Sequence, residues 1–165
     1  MTVSSKPLDV PPFIGLLHIS WSSFEIAVEV HCMRLLGISP KHNHIIFASL
    51  GAKAKHEIAI SLTLDIKPEN HDEIIKALRK VLNIAARNHV FHSIIGCNND
   101  WTYVEFDKRD ISNGLKVKGR DMDAEKLRDR INDLTDAAIA FQEIAGITNR
   151  DIDDYAKILK ALAKQ

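Results

Sequence analysis

Arg87-Asn88-His89-Val90-Phe91-His92 is the stretch of this chain whose residue types could do chemistry. A guanidinium holds a phosphate in a planar, two-pronged grip, and an imidazole moves protons near neutral pH. An arginine, an amide and a histidine so close together supply the parts for breaking an RNA phosphodiester without a metal ion. The bland alternative is a helix C-terminus at which cations favour the dipole and His92 is simply buried.

Geometry constrains how those groups work together. Residues five apart on a regular α-helix point about 140° apart, so Arg87 and His92 diverge, whereas Asn88 and His92 share a face. Either the helix loosens near Asn88-His89, or a second subunit completes the site.

Other constellations carry less. Eight histidines invite a metal, but His42 and His44 are two apart, which on a helix sends them to different faces. No paired-cysteine motif, zinc-protease motif or carboxylate-rich loop is present, so His42, His44 and His56 read as surface and helix-cap residues. No glycine-rich phosphate loop and no nucleophile elbow occur either. His18, Trp21 and Glu25 share one face of the first helix, and if the central helix packs there, Glu25 is placed to orient His92 or to pair with Arg87. Their bland reading is a core tryptophan with polar boundary residues.

The elements that must position these residues are helical. Pro11-Pro12 opens a helix running to Leu36, with Ile14, Leu17, Trp21, Phe24, Val28 and Leu35 as its apolar stripe. Gly37 ends it, and Ser39-Pro40 restarts a helix as N-cap and first residue. Gly51 divides residues 41–64 into two helices. Asn70 to Glu73 has capping-box spacing before a central helix whose face carries Ile74, Leu78, Val81, Leu82 and Ala85. Gly96 to Asp100 reads as a turn cluster. Trp101 to Phe106 and Leu115 to Lys118, joined through Asn113-Gly114, read as a β-hairpin. Asp121 or Asp123 caps a helix carrying Leu127, Ile131, Leu134, Ala138 and Phe141, Gly146 ends it, and Thr148 caps a last helix. The expected fold class is all-α, an up-and-down bundle of about four or five helices with an inserted β-hairpin over about residues 101–120. One domain spans residues 1–165, with residues 1–10 a loose polar tail.

Composition bounds the function. The 22 basic residues equal the 22 acidic ones, which disfavours a dedicated high-affinity nucleic-acid binder but not an enzyme meeting RNA briefly. Basic residues gather on the central helix (Lys76, Arg79, Lys80, Arg87) and on the hairpin, while acids dominate the last two helices. Cys32 and Cys97 read as reduced core thiols, and with no secretory segment and no apolar run expected to span a bilayer, the expected compartment is the cytoplasm.

At this point the chain resembles a known family. Arg87-Asn88-x-x-x-His92 is similar to the Arg-(polar)-x-x-x-His signature of HEPN domains, small helical bundles of which many are ribonucleases. The pattern Leu17-x-x-x-Trp21-x-x-x-Glu25 on the first helix, with the motif late in a long helix, extends the resemblance over about residues 12–145. The resemblance implies a homodimer whose two motifs form one composite endoribonuclease site, with no metal and no cofactor. It implies that His92 transfers a proton at the ribose 2′-hydroxyl, Arg87 holds the scissile phosphate and Asn88 positions one of its oxygens. Glu25, Trp21 and His89 are the supporting residues. A defence or stress role with an antitoxin or regulatory protein as partner would follow, although Ile94 stands where the toxin subtype often has tyrosine. The alternative is a non-catalytic helical module that dimerises or binds RNA or protein, and neither reading needs a membrane.

Overall fold

The computed structural model describes residues 10–87, 94–97, 103–106, 119–121 and 124–163. Among these the helices are α1 (Val10–Leu36), α2 (Pro40–Phe47), α3 (Ala52–Ile66), α4 (His71–Arg87), α5 (Ala124–Ile144) and α6 (Asn149–Leu162). The molecule is thus predominantly helical, with six helices described rather than four or five.

Local chemistry explains most boundaries. Gly37 takes φ +62°, the left-handed turn that a glycine adopts freely after a helix. Ser39 then caps α2, its hydroxyl accepting from the His42 backbone N–H, with Pro40 at the first position. Gly51 begins α3 and so does divide the 41–64 stretch. Asn70 corrects the expected capping box: its φ of +60° lies in the left-handed region, whereas an N-cap is extended. Thr148 does cap α6, in a reciprocal pairing with Asp151. Asp121 belongs to a strand, so it does not cap α5, and Asp123 lies outside the described residues.

The strands are β1 (Ile94–Cys97), β2 (Tyr103–Phe106) and β3 (Gly119–Asp121), antiparallel in the order β1-β2-β3. Gly96 pairs with Val104 and Glu105 with Arg120. This differs from the expected two-stranded hairpin. Gly96-Cys97, read as a turn, forms an edge strand, while Asn113-Gly114 and Leu115–Lys118 lie outside the described residues.

The four long helices form a ring in which α1 and α4 stand diagonally, each packed on both α3 and α5. Directions follow from side-chain pairs. His56 meets Phe24, and seven residues further along each helix Thr63 meets His31, so α1 and α3 run parallel. Ser20 bonds Thr135 and Arg34 reaches the Gly146 carbonyl, so α5 runs parallel to α1 as well. Only α4 is reversed, because a short link over residues 67–70 folds it back along α3. The expected up-and-down order is therefore corrected. Helix α2 is a return segment that carries the chain back along α1 before α3 begins. Phe24 sits at the middle of the core, edge-on to Phe141 at 5.5 Å and stacked on His56 at 5.0 Å.

The expectation that no apolar run is long enough to cross a bilayer is also corrected. Pro12–Leu36 qualifies by length and composition. Its second half is nonetheless core: Ala27 through Cys32 are six consecutive buried positions, wrapped by α2, α3, α5 and α6.

Candidate functional site

Two sets of polar side chains bear on the site among the described residues, a buried one around α1 and an exposed one on α4. Glu29, inside the run Ala27–Cys32, is only 6% exposed and must find partners for its charge. One carboxylate oxygen accepts from the Lys55 ammonium at 2.6 Å, and the other accepts from the Tyr155 hydroxyl at 3.0 Å. The Asn43 amide donates both to the Glu29 carbonyl (3.1 Å) and to the Tyr155 oxygen (2.8 Å). Side chains of α3 and α6 therefore meet one α1 carboxylate, and Asn43 of α2 ties Tyr155 to the Glu29 backbone. Burial first, and the Glu29 charge after it, push the Tyr155 phenol above its usual range. Burial likewise pushes the Cys32 thiol up to about 12, so it is an inert core thiol.

Two buried histidines flank this set. Thr63 donates its hydroxyl proton to the Ala59 carbonyl at 2.7 Å, so it accepts from His31 Nε2 at 2.9 Å. Burial, reinforced by nearby Arg34, depresses His31 to about 4. His56 donates through Nδ1 to the Ala52 carbonyl at 2.6 Å, leaving Nε2 as a buried lone pair without a partner among the described residues. Burial lowers its pKa as well. His56 is fully buried, not the surface histidine expected, because Trp21 and Phe24 enclose its ring. His42 does act at a helix cap, bonded to Ser39 at 3.0 Å. Among the described residues, no group of three or more His, Cys, Asp or Glu could hold a metal ion.

Of the expected site residues, Trp21 and Glu25 are brought together: the indole N–H donates to the half-buried Glu25 carboxylate. Burial pushes Glu25 up, opposed by Lys55 and by that hydrogen bond. Arg87 is the last residue of α4. Asn88, His89 and His92 lie outside the described residues. Because α4 doubles back along α3, it ends at the level where α3 begins. That is the level at which Trp21 meets His56.

Sequence reasoning missed the buried set entirely. Glu29 and His31 inside the otherwise apolar Ile26–Cys32 run were the available signal, since a charge there requires a buried counter-charge. Apart from Asn43 Oδ1, which finds no partner among the described residues, that set turns its donors and acceptors on one another and does structural work.

The exposed set is simpler. Lys76, Arg79 and Lys80 project from the outer face of α4 and line a shallow groove with Asp72, Ile75, Asn83 and Ile84. No ion pair neutralises these three among the described residues. Positions 76, 80, 83 and 87 form one row along the helix by its 3.6-residue period.

Comparison with protein-family models, with curated proteins and with solved structures finds no match to this chain.

Proposed function

We propose that this protein is a metal-independent endoribonuclease of the HEPN type, acting in the cytoplasm as part of a defence or stress system. The observation that carries the reading is the course of α4. Its exposed cationic row leads to Arg87 at the helix end. In this reaction His92 takes the proton of a ribose 2′-hydroxyl as its oxygen attacks the adjacent phosphorus. The bond to the 5′-oxygen breaks, the leaving oxygen takes up a proton, and a 2′,3′-cyclic phosphate remains. Arg87 stabilises charge on the non-bridging oxygens, and Asn88 orients one of them. In this proposal a second copy of the chain completes the site, as the resemblance implies.

The test is incubation of pure protein with mixed RNA in EDTA. Wild type should release cyclic-phosphate ends, and His92→Ala should be slower by about 10²-fold or more, the usual worth of a positioned proton-transfer group. Cleavage that survives His92→Ala removes His92 from the mechanism. Absence of cleavage by folded wild type favours the second reading, a non-catalytic dimerisation or binding module. The specific support for that reading is apolar surface on α1, where Leu16 is 48% and Ile19 64% exposed.

A further inference from the structure

We propose that the outer face of α4 is the track along which single-stranded RNA lies, holding a short stretch of phosphates beside the scissile one; this deepens the ribonuclease reading and rests on it. Lys76, Arg79 and Lys80 are exposed, and no carboxylate pairs with any of them among the described residues. Cations left unpaired on a chain of zero formal net charge are a local field, not a by-product of overall basicity. The acids of α4, Asp72 and Glu73, sit in its first turn, where they answer the helix dipole; Asp72 lines the groove at that end, one turn before Lys76, and forms no ion pair with it among the described residues.

Spacing argues for one strand rather than two. At about 1.5 Å of rise per residue, Lys76 and Lys80 lie roughly 6 Å apart along the axis, and position 87 a further 10 Å on. A single row of that length follows one phosphodiester backbone, whereas a duplex would present two. Asn83 and Ile84 share the groove and offer an amide and an apolar edge to a sugar or base, so RNA would be held by more than charge.

The probe is a fluorescein-labelled single-stranded RNA of mixed sequence, about 12 nucleotides long, within the usual site-size range for such surfaces. Anisotropy is read in full-length His92→Ala protein, so that the probe is not consumed, at several salt concentrations. Adding Lys76→Ala, Arg79→Ala and Lys80→Ala should weaken binding about tenfold or more. It should also flatten the salt dependence by about 2 in slope, at roughly 0.7 for each phosphate that is no longer neutralised. Lys41→Ala/Lys160→Ala, exposed lysines of α2 and α6, should leave both unchanged. Unaltered affinity and slope in the triple variant overturn the track, even if wild type cleaves RNA. Equal competition by a polyglutamate peptide, or tighter binding of a duplex of the same length, overturns single-stranded RNA as the occupant. Binding with the expected slope change in a protein that cleaves nothing upholds the track and sinks the nuclease.

Discussion

Glu29 and Lys55 show how a buried charge governs its neighbourhood. The pair is 2.6 Å apart with side-chain exposures of 7% and 14%, so solvent does little to screen it. Removing one partner strands the other, which typically costs about 3–5 kcal/mol, while replacing both with apolar residues of similar size is far milder. Glu29→Leu should therefore destabilise the protein by several kcal/mol, and Glu29→Leu/Lys55→Met should recover much of the loss in urea unfolding. Additive losses would show that the two charges are not coupled. None of this is readable from local sequence, because the partners come from residues 26 and 126 positions away. By contrast, the row of Lys76 and Lys80 on α4, with Arg79 beside it, is visible in the sequence, since exposed cations at helical spacing need no partner to be recognised.

At the scale of elements, legibility follows how many sides of a helix are covered. Helices α4 and α5 each bury one face, so Ile74, Leu78 and Val81, and Leu127, Leu134 and Phe141, stand out as stripes and are indeed buried. The run Ala27–Cys32 of α1 is covered on all sides, so the stripe read through Val28 does not tell how many neighbours surround it. The path of α2 is hidden for a related reason: Phe47 and Asn43 are its only buried residues, too few to announce a direction. Caps are local and so are legible. Thr148 both accepts from the Asp151 N–H and donates to its carboxylate, which also meets Arg34 of α1 at 2.6 Å. The Thr148 hydroxyl and N–H hold Asp151 below its usual range, with Arg34 assisting. Thr148→Ala should cost about 1 kcal/mol in thermal or chemical unfolding, the ordinary worth of an N-cap. No measurable loss would mean that the cap adds nothing to the Arg34–Asp151 contact and the seating of Tyr155.

For the whole molecule, the parallel course of α1 and α3 places two neutral histidines in one core. His31 falls from an ordinary 6.5 to about 4, and His56 is lowered in the same direction. Because the folded pKa lies below the unfolded one, the unfolded chain binds more protons between these values. The stability that His31 contributes is thus complete above about pH 6.5 and drains away as pH falls toward 4, roughly 3 kcal/mol in all. His31→Gln keeps a donor for Thr63 and cannot titrate, so its urea midpoint should decline less over that interval. An equally steep decline would assign the acid sensitivity elsewhere, with His56 next to be tested. The meeting of Glu29 with Tyr155 also has a meaning in time. A ribosome releases α1 long before residue 155, so throughout most of synthesis Glu29 has Lys55 but not its phenol, and the groove that α6 will fill stays open. Completion of this core therefore waits until α6 has emerged, and until then the nascent chain displays the surface that chaperones survey.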